Sequence, residues 1–242
     1  NEAEAMVRGA GAPDVLLTNI VFGPNAARLA ALAAAHPHVV VGAVVDSTQG
    51  VDALDAAASR AGARVAAWVE IDAGQNRCGV APGSPEAVAV AKRVLSSQSL
   101  TFGGLHVYHG AIQHVRTVDA RRRAVQAGPA DAARRTVASL VAAGIPKPLI
   151  TGGGTGTFLF EMAEGTHDEM QPGSYLFMDG DYGQNEDATF AQSLYVHATV
   201  ISADESTGKR VIDAGTKAVC LMSGPPQVVL LEGDAVDGSA TA

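Results

Sequence analysis

The 242-residue sequence predicts an α/β protein: a partial (β/α)8 barrel of the TIM type, with about six of the eight strand–helix units, followed by the start of a β domain. Three features predict it. Short apolar runs alternate with amphipathic stretches of helical period from residue 14 to about 180. Polar residues gather just after those runs, at Thr18-Asn19, Asp46-Ser47, Asp72 to Arg77, Tyr108 to His114, Thr151 to Thr157 and Asp179 to Tyr182. A face built from the ends of many successive strands belongs to a barrel, whereas an open sheet concentrates its ligand contacts at one switch point. After Tyr182 the pattern changes to the strict alternation of antiparallel strands. The expected division is 1–188 for the barrel and 189–242 for the β domain.

The elements follow in order. The opening residues, Asn1 to Val7, have a helical composition, so the chain opens inside a helix. Asp14 to Asn19 is a run suited to a strand buried on both faces, and Ala26 to Ala35 is an alanine-rich helix. Val39 to Val45 forms the second strand, and Asp46-Ser47 can cap a helix over Val51 to Gly62. The third strand is Val65 to Asp72, with a helix from Pro85 to about Ser96. Phe102 to Tyr108 is the fourth, ahead of a helical region from about Asp119 to Ala143. Pro148 to Thr151 is the fifth and Ser174 to Met178 the sixth. Beyond them, Leu194 to Ser202 and Gly208 to Asp213 read as a hairpin, and Gln227 to Leu231 as a further strand. The end, Asp237 to Ala242, is a turn without a terminating element, and both termini are expected to be cut.

Composition narrows the partners. A net charge of -8, with Arg121-Arg122-Arg123 as the one basic cluster, argues against nucleic acid, and that run reads as a solvated helix face. No apolar run reaches the roughly 20 residues of a membrane helix. Two cysteines, Cys78 and Cys220, give neither a disulfide framework nor metal-ligand spacing, which leaves a reducing, cytoplasmic setting as the default.

The stretch around which the chain is organised is Thr151-Gly152-Gly153-Gly154-Thr155-Gly156-Thr157, directly after an apolar run. Such a loop can turn N–H groups inward to hold a phosphate, or can simply let the chain bend. Its spacing matches neither G-x-x-x-x-G-K-[ST] nor G-x-G-x-x-G. Arg77, among small residues at a strand end, suits a ring nitrogen or a carboxylate; the alternative is an ion pair to Asp72 or Glu70. His106 and Tyr108 share one side of their strand and His109 takes the other, which places an aromatic ring and an imidazole at the mouth. Gly173 and Ser174 offer an N–H and a hydroxyl, and Tyr182 a phenol, to the same phosphate as Thr155. Asp179 and Asp181 suit a metal, or a turn and a cap.

In order along the chain, Val69-Glu70-Ile71-Asp72 with Arg77-Cys78-Gly79-Val80, Tyr108-His109-Gly110 with Gln113-His114, the T-G-G-G-T-G-T run, and Gln171-x-Gly-Ser-Tyr175 with Asp181-Tyr182-Gly183 form one set. It resembles the D-threonine aldolase and 3-hydroxy-D-aspartate aldolase family, which has an alanine-racemase-like fold. The resemblance implies pyridoxal 5′-phosphate at the barrel mouth, with Arg77 at the pyridine nitrogen, Tyr108 beside the ring, and Thr155, Gly173, Ser174 and Tyr182 on the phosphate. It implies a lyase that splits D-3-hydroxy-amino acids such as D-threonine or 3-hydroxy-D-aspartate into glycine and an aldehyde, assisted by a divalent metal in a homodimer. The rivals are a D-serine or D-3-hydroxyaspartate dehydratase and a non-catalytic pyridoxal-phosphate carrier. The family's Schiff-base lysine is expected upstream of Asn1 and its metal ligands downstream of Ala242, so the segment by itself is expected to be inactive.

Overall fold

The computed structural model describes residues 1–221 and 224–229 of the chain. They fall into two compact units, divided between Gly173 and Ser174.

In the first unit the order is α1 (Glu2–Arg8), β1 (Asp14–Ile20), α2 (Pro24–Ala35), β2 (Val40–Val45), α3 (Thr48–Ala61), β3 (Val65–Asp72), α4 (Pro85–Leu95) and β4 (Leu100–Tyr108). There follow a 3-10 turn (Gly110–His114), α5 (Val118–Val125), a π turn (Gln126–Ala130), α6 (Asp131–Ala142), β5 (Ile150–Gly152), α7 (Phe158–Glu164) and β6 (Glu169–Met170). All six strands are parallel and lie in the sheet in chain order. That order is the partial TIM-type arrangement: each strand pairs with the next and the order never reverses, as it would in a doubly wound sheet.

Local chemistry explains the boundaries. In β2, five of six residues are buried, as a Val/Gly/Ala run covered on both faces requires. Ser47 caps α3 by accepting from Gly50 N–H at 3.1 Å, and Gly62 ends it in the left-handed conformation at φ 64°. Ser84 caps α4 in the same way through Ala87 N–H, with Pro85 at the first helical position. One apolar cluster, which includes Leu54, Ile71, Val94, Leu105 and Leu140, runs between helices and sheet. A smaller one joins Ile112, Val125, Ala130 and Phe160 under α7.

Four expectations are corrected. The sixth strand is Glu169–Met170, and Ser174–Leu176 is a 3-10 turn closed by Phe177 N–H on the Ser174 carbonyl at 3.2 Å. Pro172 lacks the N–H a continuing strand needs, and Leu176 and Phe177 stay exposed. The helical region after β4 stands as expected over 118–142, as two helices joined by a π turn at Pro129, whose missing N–H breaks the regular ladder. Arg121 is not on a solvated face: it is fully buried, donates to the Val115 and Arg116 carbonyls and lies 5.4 Å from the Phe160 ring centroid. In the second unit the hairpin is shorter than expected, with β7 (Val200–Asp204) antiparallel to β8 (Lys209–Ile212) and no strand over 194–199. The expected run Gln227 to Leu231 is without regular structure over Gln227–Val229, its last two residues and the expected turn at 237–242 lying outside the described residues.

The twin glycines of β4 have a steric reason. A side chain at Gly103 would enter the Trp68 indole, and one at Gly104, with φ at 145°, would meet the Leu149 carbonyl and the same ring. This close approach accompanies the register shift between Ala67 and Trp68 and lets Leu105 N–H reach the Leu149 carbonyl at 2.9 Å. Gly104→Ala is therefore expected to cost about 2 kcal/mol or more, measured as a lower midpoint in urea, with the loss traced to the β4–β5 pairing by amide exchange.

Candidate active site

The site is assembled where β2 to β6 end. Asp72, the last residue of β3, accepts from Gly74 N–H and Asn76 N–H, both at 3.0 Å, and so folds the following loop over itself. Asn76 takes φ 54° in that turn. Val80 then returns to pair beside Ile71, with Asp72 N–H on the Val80 carbonyl and Val80 N–H on the Glu70 carbonyl. The loop from 73 to 79 is held at its base and offers its crest to solvent. Arg77 stands there exposed and forms no ion pair among the described residues. Of the two carboxylates that could have paired with it, Glu70 is bonded to His106 and Asp72 to backbone N–H groups.

Lateral bonds tie each strand end to the next. Asp46, after β2, accepts from Gly79 N–H at 3.3 Å, and Gln75 accepts from Gly110 N–H, after β4, at 2.7 Å. Gln113, almost wholly buried, donates to the His109 carbonyl at 3.2 Å and to Thr157 Oγ1 at 2.8 Å, and accepts from Gly156 N–H at 3.0 Å. A continuous polar rim joins four strand ends.

Below the rim, a second set of bonds follows the sheet register. Glu70, His106, Thr151 and Glu169 are Cα partners across β3, β4, β5 and β6. Glu70 Oε2 bonds His106 Nδ1, His106 Nε2 meets Gln171 Oε1 at 3.2 Å, Gln171 Nε2 donates to Thr151 Oγ1 at 2.8 Å, and Thr151 Oγ1 donates to Glu169 Oε1 at 2.6 Å. His106 also stacks on Tyr108, with centroids 6.3 Å apart and planes 26° apart. Strand alternation accordingly puts these two rings on one side, while His109 turns towards Gly74 and Gly128. Burial raises the Tyr108 phenol above its usual range; the Arg77 charge opposes that shift, and the Glu161 carboxylate adds to it. Burial lowers the His109 imidazole, against the pull of Asp72.

The glycine loop is shaped by what presses on it. A Cβ at Gly152 would strike the Val107 carbonyl, one at Gly153 the Glu161 carboxyl, one at Gly154 the Gln113 amide, and one at Gly156 the Gln113 backbone. Gly154 N–H donates to Thr157 Oγ1 at 3.3 Å and Gly156 N–H to Gln113, so these two N–H groups are already bonded within the protein. Thr155 stands half-buried at the crest of the loop. Gly173 is exposed, with nothing within 4 Å of the place a Cβ would take, and it closes the first unit. Ser174 and Tyr182 belong to the second unit. There, Asp179 caps the turn by accepting from Asp181 N–H at 3.0 Å and Tyr182 N–H at 2.9 Å, which is the turn-and-cap alternative. Among the described residues no three His, Cys, Asp or Glu side chains gather as a metal site would require. No helix among them is long and apolar enough to cross a membrane.

Glu161 was not singled out by the sequence. It lies four residues after Thr157 on α7, which follows the loop, and its carboxyl is completely buried. Only the fold reveals that it replaces the missing side chain of Gly153. Burial pushes its carboxyl up to about 7, against the hydrogen bond from Thr157.

Parallel strands in chain order, with a polar rim at their C-terminal ends, define a partial TIM-type barrel, with the candidate site at the strand ends. The chain belongs to the alanine racemase N-terminal domain family, whose model matches residues 1–181. It is 39% identical over 238 residues to the 3-hydroxy-D-aspartate aldolase of Paracoccus denitrificans (strain Pd 1222), covering 94% of this chain and 60% of that one. It is 38% identical over 223 residues to the D-threonine aldolase of an Arthrobacter species, covering 90% of this chain and 57% of that one. The crystal structure of D-threonine aldolase from Filomicrobium marinum superposes with a TM-score of 0.85 at 39% identity, over 92% of this chain and 59% of that chain. The chain thus spans somewhat more than half the length of these relatives.

The buried acid gives a pH dependence with a definite sign. The folded-state pKa of Glu161 lies above its unfolded value, so its contribution to stability is fully present below the unfolded value and is lost as pH rises through about 7. Stability of the wild type is expected to fall on the order of 3 kcal/mol from pH 4.5 to above 7, relative to Glu161→Gln. Urea unfolding of both proteins across that range checks it.

Proposed function

We propose that these residues bind pyridoxal 5′-phosphate and serve a lyase that cleaves D-3-hydroxy-amino acids, such as D-threonine or 3-hydroxy-D-aspartate, to glycine and an aldehyde by a retro-aldol reaction. The observation that carries the reading is the exposed Arg77 guanidinium, in no ion pair among the described residues, at the mouth that also holds Tyr108 and the glycine loop. Similarity to two aldolases supports the choice of reaction.

The donor set fits the cofactor's chemistry. Arg77 is a permanent cation and donor, suited to the pyridine nitrogen, which it would keep unprotonated. Tyr108 presents an aromatic face stiffened by its stack on His106. On the phosphate side the reading assigns Thr155, Gly173, Ser174 and Tyr182. Gly173 is exposed, with open space where a side chain would stand. Gly154 and Gly156, whose N–H groups are bonded within the protein, shape the loop instead.

Pyridoxal phosphate, when bound, supplies the electron sink that lets the Cα–Cβ bond of a β-hydroxy amino acid break. The contribution of these residues is to bind and orient: Arg77 and Tyr108 fix the plane of the ring, and the hydroxyl groups fix the phosphate. A divalent metal that would assist removal of the β-hydroxyl proton, a homodimeric assembly and a cytoplasmic setting belong to the same reading; no described residue is assigned to the metal.

The test uses the intact protein. With pyridoxal phosphate it should show a visible-region band that borohydride fixes to the protein, and with D-threonine and a divalent metal it should release glycine and acetaldehyde. A keto acid in place of the aldehyde would assign a dehydratase, and a band without turnover a carrier. Thr155→Ala and Ser174→Ala are each expected to weaken cofactor binding about 10- to 100-fold, the weight of a hydrogen bond to a charged group. Unchanged retention in both would return the loop to a plain turn.

A further inference from the structure

We propose that Glu161 is a positioning residue: it carries a proton at rest and in that state holds the glycine loop in the shape that receives an anion, so that ionising it weakens the loop's grip on a phosphate. This rests on the reading that the loop serves a phosphate.

The geometry fixes the direction of each bond. Thr157 Oγ1 accepts from Gln113 Nε2 and from Gly154 N–H, so its own hydrogen goes to Glu161 Oε2, at 2.9 Å. Oε1 is buried and has no hydrogen-bond partner among the described residues. A carboxylate wants several donors and this one has a single hydroxyl, so the neutral acid is the form the site accommodates.

The groups facing it supply no compensating charge. They are Thr157 at the N-cap of α7, bonded in turn to Gln113 of the 3-10 turn, the Gly153 backbone, beside which Met170 Sδ of β6 also lies, and the Tyr108 phenol on β4. Among the described residues no arginine, lysine or histidine forms an ion pair with Glu161. The carboxyl fills the space a side chain at Gly153 would take, and through Thr157 it connects to the bonds that hold Gly154 and Gly156. Once ionised, it would draw on the nearest N–H donors, which are those of the loop itself, and would repel a phosphate on the loop's outer side.

The experiment measures the dissociation constants of pyridoxal 5′-phosphate and of pyridoxal, which lacks the phosphate, for the intact wild type and for Glu161→Gln from pH 6 to 9. Above about 7, the wild-type constant for the phosphate form is expected to rise towards tenfold per pH unit relative to the variant, the limit for one linked proton. Pyridoxal should show no such difference. In the same proteins without ligand, amide exchange of Gly153 to Gly156 should speed up about tenfold or more in the wild type relative to the variant across that range. Parallel pH profiles of exchange overturn the proposal whether or not cofactor binds. If neither protein binds pyridoxal phosphate at any pH while the exchange difference is present, the proposed function fails and the positioning role of Glu161 stands. Should Glu161→Gln not fold, the wild-type infrared band of a protonated carboxylic acid decides: its disappearance near neutrality, in step with faster loop exchange, supports the proposal, and its absence at pH 6 overturns it.

Discussion

The amide of Gln113 is the contact on which the rest of the site depends. It is one of the few fully buried polar side chains, and it satisfies three partners on three different segments: the end of β4, the glycine loop and the start of α7. Both faces of its amide group are spent on holding the loop, which is why Gly154 and Gly156 have no room for side chains. A buried amide left half-satisfied would cost more than the bonds it makes, so the loop and the 3-10 turn after β4 must form together or not at all.

Similar bonds run sideways from strand end to strand end. Asp46 to Gly79, Gln75 to Gly110 and Gln113 to Gly156 are each a side-chain oxygen meeting a backbone N–H of the neighbouring strand end. Below them, the register-matched set Glu70, His106, Thr151 and Glu169 joins four strands through side chains as the backbone ladder joins them through amides. A shift of one residue in any of these strands would turn its member of the set to the other face and break the chain. The polar layer therefore specifies register as well as chemistry. It also stiffens Tyr108 from beneath, through the stack on His106.

Much of this was legible in the sequence, for physical reasons that differ by element. The Val/Ala/Ile runs of β2 and β3 are buried on both faces, so their composition alone marks them, and the capping oxygen of Ser47 marks where α3 starts. The polar clusters after successive strands pointed to a barrel mouth because connections in such folds carry the functional groups on one face. The sixth strand was misplaced because Tyr175-Leu176-Phe177 is apolar yet exposed, and the short true strand, Glu169–Met170, has no apolar signature. Arg121 carries no local mark of burial; its partners are carbonyls of the preceding turn and the face of Phe160. Glu161 was invisible for the same reason. A glutamate on a short helix reads as surface, and only the three-dimensional approach to Gly153 gives it a buried role.

Little of the mouth is left uncommitted. The rim and the polar layer satisfy one another, whereas Arg77, on the loop after β3, stands exposed and outside any ion pair among the described residues, and its charge is felt at the Tyr108 phenol. The most direct measurement is a crystal structure of the intact protein with pyridoxal 5′-phosphate. The phosphate is expected within hydrogen-bond distance of Thr155, the pyridine nitrogen on Arg77 and the ring beside Tyr108. Cofactor bound elsewhere on the protein, or no density at the strand mouths under saturating cofactor, would contradict it.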